Sequence, residues 1–130
     1  MKSILRVAVI VLAMLPAISF AQTKKAVWPE AKKFHSFMSS SFHPTEEGNF
    51  APLRKNADSM YIAAQAWQSS PIPDNYKPKE TQMNLDILVK LCGDISNAVK
   101  AKASDETLKK HIIDAHDAFH KLMGECKKED

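Results

Sequence analysis

The helical pattern of the chain is clearest in FAPLRKNADSMYIAAQAW, residues 50–67, where apolar side chains recur at intervals of three and four. This spacing places them on one face of an α-helix, which has about 3.6 residues per turn. Pro52 falls in the first turn, where a helix tolerates proline. The segment therefore predicts an amphipathic helix whose apolar face consists of Phe50, Leu53, Ala57, Met60, Ala64 and Trp67.

Three further segments repeat this spacing. The first is predicted to end at the His43-Pro44 step, because proline disfavours the α conformation of the residue before it. The third helix is expected to begin near Thr81 and the fourth after Ser104, since hydroxyl side chains cap helix N-termini. Their apolar positions are Trp28, Ala31, His35, Met38 and Phe42 in the first, Leu85, Leu88, Cys92, Ile95 and Val99 in the third, and Leu108, Ile112, Ala115, Phe119, Leu122 and Cys126 in the fourth.

Loops and prolines separate these helices, and no segment of the sequence shows the strict alternation of a strand. Gly48 marks the first loop, and three prolines stiffen a crossover over residues 69–79. Spacings of three and four on every helix suit packing at about 20°. The sequence therefore predicts an all-α, antiparallel up-down-up-down four-helix bundle that forms a single domain over residues 22–130.

The N-terminus has the organisation of a secretory signal peptide. Lys2 and Arg6 precede nine apolar residues at 7–15, which are too few for the roughly 20 that a membrane-spanning helix needs. Ser19 and Ala21 supply the small side chains that a signal peptidase reads. We therefore expect cleavage after Ala21 and an exported mature protein without a membrane span.

The expected mature chain is nearly neutral, which argues against nucleic-acid binding. The full chain has 18 Lys and Arg against 15 Asp and Glu, and residues 1–21 hold two of the basic residues and no acidic one, which leaves a net charge of +1. The charges are interspersed and do not form the one-signed surface that releases counterions from phosphates. Two cysteines are also too few for a disulfide scaffold.

The sequence lacks the motifs of common catalytic sites and of covalent haem. It has no Cys-x-x-Cys-His segment, no Gly-rich phosphate loop, no His-Glu-x-x-His and no paired Glu-x-x-His motif. We therefore expect a protein that is not an enzyme.

The histidines are the residues best suited to hold a cofactor. At about 100° per residue, His35 falls inside the apolar arc of the first helix and is expected to point into the core. His116 and His120 lie one turn apart on the fourth helix, as a pair of metal ligands would. Because the predicted topology places the first helix beside the fourth, the three imidazoles are predicted to meet at one interior point. Buried imidazole nitrogens need partners, which a metal ion or haem iron supplies.

The chain resembles the soluble periplasmic cytochromes b and c-prime, four-helix bundles of about this mature length. The likeness covers most of residues 28–126 and is carried by LDILV at 85–89, by the proline-rich crossover before it, and by DAFHK at 117–121. In the b-type members a histidine that follows alanine and an aromatic residue is an axial haem ligand, and His120 matches it.

The resemblance implies a periplasmic electron carrier that binds haem b without a covalent bond and meets a redox partner protein. The second axial ligand of the family is a methionine in the middle of the first helix. The corresponding turn of this chain holds Phe34 and His35, with Met38 one turn later. The iron would therefore be held by His35 and His120, or by Met38 and His120. The haem would lie against Phe34, Phe119 and Met123.

His116 and His43 are not explained by the family's pattern. They favour a transition-metal ion such as copper, zinc or nickel as the alternative ligand. The metal ligands would be His35, His116 and His120, with a fourth from His43, Met38 or Met123. A third hypothesis is a structural or interaction bundle without a ligand, because a single interior histidine is usually a hydrogen-bonded core residue.

Overall fold

The computed structural model describes residues 28–129, which form four α-helices. The helices are α1 (Pro29–Glu46), α2 (Ala51–Gln68), α3 (Pro78–Lys100) and α4 (Asp105–Glu125). No strand occurs among the described residues, although Tyr76 and Lys127 form an isolated bridge. The prediction of an all-α fold is confirmed for this part of the chain. The signal peptide predicted at residues 1–21 lies outside it.

Consecutive helices pack against one another, which is consistent with a bundle. α1 and α4 also meet, but their backbones approach closely at far fewer places than those of consecutive helices. A hydrogen bond of 2.8 Å from Trp28 Nε1 to Ser70 Oγ ties the start of α1 to the end of α2. None of the helices in residues 28–129 is long and apolar enough to cross a membrane.

α1 continues through His43 and Pro44 to Glu46, so the predicted end of this helix was wrong. The N–H that Pro44 lacks would have bonded to the carbonyl of Ser40, four residues earlier. Ser40 is exposed, and water can solvate its carbonyl, so a proline in the last turn costs little there. The chain then leaves the helix at Gly48, whose φ of 84° is the left-handed conformation that favours glycine after a helix.

The start of α3 also differs from the prediction, whereas the start of α4 confirms it. α3 begins at Pro78, because proline suits the first helical position, where an N–H has no intrahelical partner anyway. Thr81 is therefore a buried residue inside the helix and not its cap. Ser104 caps α4 as predicted, and its Oγ accepts a hydrogen bond of 3.2 Å from the Thr107 amide.

The core contains the predicted apolar faces of α2, α3 and α4, apart from Phe50 and Val99, which are half-buried. In α1 the buried face is rotated from the predicted one, so that Phe34 lies in the core where His35 was expected. α1 packs chiefly on α2, and the Phe34 ring lies 5.4 Å from that of Trp67 on α2. The buried residues of α1 are Ala31, Phe34, Met38, Ser41 and Thr45.

Aromatic rings fill the end of the core where α1 begins. Trp28 packs edge-on against Trp67 and Tyr76, with ring centroids 5.5 and 5.1 Å away. Phe34 lies 5.7 Å from Phe119 of α4. Each large apolar side chain that is removed from water contributes about 1.5–3 kcal/mol to folding. This cluster therefore fixes Phe119, on which part of the candidate site rests.

Candidate functional site

His116 and His120 form the closest histidine pair of the structure, one turn apart on α4. Their Nε2 atoms are 3.0 Å apart, and their ring centroids are 4.4 Å apart. At this distance one neutral imidazole donates its Nε2–H to the lone pair of the other. The predicted pair is therefore present, with the nitrogens that bind transition metals facing each other.

The surroundings of His116 favour its neutral form. Partial burial lowers the pKa of His116, and the neighbouring His120 and His43 lower it further, while the carboxylates of Asp117 and Glu46 act in the opposite direction. The Asp117 Oδ1 atom lies 3.9 Å from His116 Nδ1. At neutral pH the imidazole is uncharged, and this is the form that coordinates a metal ion.

Phe42 of α1 holds the plane of the His116 ring. The two rings stack face to face, with centroids 3.7 Å apart and planes 7° from parallel. A second stack joins His35 to Phe119, with centroids 5.2 Å apart and planes 11° from parallel. We call these residues the ring cluster, which consists of Phe42, His116, His120, Phe119 and His35. Stacked rings therefore fill the interface where α1 and α4 meet.

His35 is exposed, so the prediction that it points into the core was wrong. Its helix turns the neighbouring Phe34 inward, because a phenylalanine gains more from burial than an imidazole, which must keep its nitrogens hydrogen-bonded. The His35 ring covers the face of Phe119. The three imidazoles of His35, His116 and His120 therefore line one interface, but only the last two bring their ring nitrogens together.

His43 lies at the same end of α1 as Phe42, and it is exposed. Its Nδ1 atom is 3.3 Å from Glu46 Oε2, one turn further along the helix. Its ring meets that of Phe42 edge-on at 5.9 Å. The structure thus places His43 near the histidine pair but in contact with a carboxylate.

The residues predicted to surround haem are divided between the core and the surface. Phe34 and Met38 are fully buried, so Met38 is sealed away from any ligand at the α1–α4 interface. The half-buried Met123 accepts a long hydrogen bond, 3.9 Å, from the Tyr76 hydroxyl. Beside His35 an open groove of about 310 Å³ is lined by Trp28, Ala31, Lys32, His35, Tyr76, Phe119 and Met123.

The arrangement of His35 and His120 does not fit a pair of axial haem ligands. Such a pair must direct one nitrogen each at the iron from opposite sides of the porphyrin. Here His120 Nε2 faces His116, and Phe119 contacts the rings of both His35 and His120. His35 lines the groove, whereas His120 does not. The groove therefore offers one imidazole where the predicted haem site needs two.

A metal ion fits the spacing of His116 and His120 better. Two ligands about 2.0–2.1 Å from a metal ion are about 2.9 Å apart when they lie at a right angle and about 3.3 Å apart at the tetrahedral angle. The observed separation of 3.0 Å falls between these values. Within residues 28–129, no group of three or more His, Cys, Asp or Glu side chains is already assembled to hold a metal. A metal ion bound to the pair would therefore need further ligands.

Two residues that were not predicted as part of the site lie beside the histidine pair. The sequence predicts Phe42 as a core position, yet it is half-buried and stacks on His116. Glu46 pairs with His43 and lies near enough to His116 to raise its pKa. The signal for Glu46 was present in the sequence, because positions three apart on a helix are neighbours and His43-x-x-Glu46 has that spacing.

Comparisons with known proteins identify no relative of this chain. No protein-family model matches the chain, no curated protein matches it, and no solved structure matches it.

Proposed function

We propose that this protein binds a transition-metal ion through His116 and His120. The observation that supports this function is the 3.0 Å separation of their Nε2 atoms, which suits two ligands of one metal ion. Imidazole nitrogens are typical ligands of copper, zinc and nickel. The protein would act as a metal buffer or sensor and not as an enzyme.

The surroundings of the pair reduce the cost of binding. The Phe42 stack already fixes the His116 ring, so less side-chain entropy is lost when a metal ion binds. The lowered pKa of His116 means that few protons must be displaced at neutral pH. Both features strengthen binding without adding a ligand.

We propose that the four helices form the antiparallel up-down-up-down bundle expected from the sequence. Support comes from contacts between opposite ends of consecutive helices. Trp28 at the start of α1 bonds to Ser70 after α2, and Gln68 at the end of α2 donates to Asp86 in the first half of α3 at 2.8 Å. Such a bundle sets α1 beside α4, where the ring cluster lies.

We also propose that the protein is exported, and that it acts in the periplasm. The support is the signal-peptide pattern of residues 1–21 and the resemblance to periplasmic cytochromes. Expression of the full chain followed by cell fractionation and intact-mass analysis tests this: export predicts a mature protein that begins at Gln22. A full-length protein confined to the cytoplasm would contradict it.

Metal titration of the purified mature protein tests the proposed function. Cu(II) and Zn(II) are titrated separately into metal-free protein, with affinity measured by calorimetry and by competition with a chelator. Loss of a residue that hydrogen-bonds to a metal ligand typically lowers metal affinity by about 10–100-fold. Removal of either imidazole, which would bind the metal directly, is therefore expected to lower it by at least about 100-fold. The variants are His116→Gln and His120→Gln. His111→Gln is the matched control, because it removes a histidine of the same helix outside the pair.

The expected result is one metal ion per chain, with affinity lost in the first two variants and retained in the control. Equal affinity in all four proteins, or no saturable binding by wild type, would overturn the proposal. Titration with haemin in parallel tests the competing haem hypothesis. A sharp visible absorption band that disappears in His120→Gln would favour haem over a metal ion.

A further inference from the structure

We propose that Glu46 supplies a carboxylate ligand to the metal ion held by His116 and His120, so that the ion joins α1 to α4. This inference rests on the proposed function, because it concerns the same site. It adds a ligand from a second helix, which the sequence analysis did not identify.

Glu46 lies on the face of α1 that meets α4. Glu46 follows Phe42 by four residues, which places both on one face of the helix. Phe42 stacks on His116, so this face of α1 is the one that meets α4. Phe42 and Glu46 also line a groove of about 310 Å³ between the two helices. On α4 that groove is lined by Lys109 and Ile113, and Ile113 precedes His116 by one turn.

The side chain of Glu46 is free to move to a metal ion. Its relative exposure is 56%, and its only ion pair in the described residues is the exposed contact with His43 at 3.3 Å. Exposed ion pairs contribute about 0–1 kcal/mol, so exchange of His43 for a doubly charged cation costs little. The carboxylate also offsets charge that two neutral imidazoles cannot balance.

A ligand from α1 gives the metal ion a structural role as well. The backbones of α1 and α4 come close at fewer places than those of consecutive helices do. An ion bound to Glu46 and to the histidine pair would hold these helices together where packing is weakest. Metal binding is therefore expected to stabilise the contact of α1 with α4.

Comparison of Glu46→Gln with Glu47→Gln tests the inference. The two variants remove the same charge from adjacent exposed residues, so both are expected to fold as wild type does. Cu(II) and Zn(II) affinities are measured as above, and the Cu(II) complex is examined by EPR, which reports the number of nitrogen and oxygen ligands. Glu46→Gln is expected to weaken binding by about 10–100-fold and to change the EPR spectrum. Glu47→Gln is expected to match wild type in both.

The outcomes separate the two proposals. If wild type binds metal and depends on His116 and His120, but Glu46→Gln behaves like Glu47→Gln, the carboxylate ligand is excluded and the histidine site remains. If wild type binds no metal, the proposed function fails first. A further measurement is the rise of the melting temperature with metal, which should shrink in Glu46→Gln.

Discussion

The α2–α3 interface and the α1–α4 interface are filled in different ways. At the first, the helices approach so closely that a Cβ on Gly93 would stand 3.2 Å from the Tyr61 ring. Across the same interface, Ser96 donates a hydrogen bond to Asp58. At the second, the backbones come close at fewer places, and the ring cluster fills the space between the helices.

The difference shows where stability and binding reside. Close packing of apolar side chains leaves no room for a ligand and supplies most of the free energy of folding. Stacked rings at a looser interface bury their faces while their nitrogens stay near the surface. The α2–α3 interface is therefore expected to determine the free energy of unfolding, and the α1–α4 interface the affinity for metal.

The largest expected effect is that of Leu88→Ala, which leaves a cavity at a fully buried position of α3. Such truncations lower the free energy of unfolding by about 2–5 kcal/mol. Denaturant unfolding measures this loss, and metal titration at low temperature measures affinity on the folded variant. We expect affinity to stay at the wild-type value. A parallel loss of affinity would show that the two interfaces are coupled.

Metal binding is expected to stabilise the wild-type protein by a smaller amount. A ligand at about 100 times its dissociation constant raises the free energy of unfolding by about 2.7 kcal/mol when it binds only the folded state. The increment should persist in Leu88→Ala and vanish in the double variant His116→Gln/His120→Gln. Thermal unfolding with and without Cu(II) or Zn(II) measures it. An increment that survives in the double variant would place the metal elsewhere.

Removal of the aromatic ring that stacks on His116 should lower both the free energy of unfolding and the affinity for metal by moderate amounts. Phe42→Leu keeps an apolar side chain but loses an aromatic contact of about 0.5–1.5 kcal/mol. Because the His116 ring is then less fixed, metal affinity should also fall, by about 10-fold. Phe37→Leu is the matched control, since Phe37 is also a half-buried phenylalanine of α1 but lines a groove with residues of α2. Equal affinity in the two variants would rule out a role for the stack.

The smallest effects are expected in the pH dependence of the metal-free protein, where the two interfaces should respond in different ranges. The pKa of His116 is lowered by burial and by the neighbouring His120, so the unfolded chain binds more protons and stability falls as pH drops below about 6.5. The pKa of Asp58 is lowered chiefly by the hydrogen bond from Ser96. The stability that the ionised Asp58 contributes is therefore lost only as the pH falls below about 3.8.

Two variants separate these ranges. His116→Gln should flatten the fall in stability near pH 6, and Ser96→Ala should flatten the fall near pH 4. Denaturant unfolding across the pH range provides the measurement. If Ser96→Ala instead changed the fall in stability near pH 6, the assignment of the two pH ranges to the two interfaces would be wrong.

The helices were predictable because their signals are local. Apolar spacing in α2, α3 and α4 identified all their buried apolar residues except Ala63, but not the buried polar residues of α3, and Ser104 identified the start of α4. The errors arose where two local signals competed. The sequence predicts that α1 ends at Pro44 and that α3 begins near Thr81, but a proline in a last turn is tolerated and Pro78 provides a better first position for α3.

The candidate site was predictable only in part. The pair on α4 follows from a spacing of four residues, and no other helix is needed to form it. The orientation of His35 depends instead on which face of α1 packs against α2, and the spacing of apolar residues left Phe34 and His35 as competitors. Burial of Phe34 against Trp67 decided between them.

The sequence by itself therefore determined the number of helices, most of their buried faces and the juxtaposition of His116 with His120, because all of these depend on helical periodicity. Only the tertiary structure decided that α1 turns Phe42 toward α4 and that Glu46, on the same face, is turned toward α4 as well. These facts depend on the rotation of one helix against its neighbours, which is set by the competition among all its side chains for burial. No local pattern in α1 contains that information.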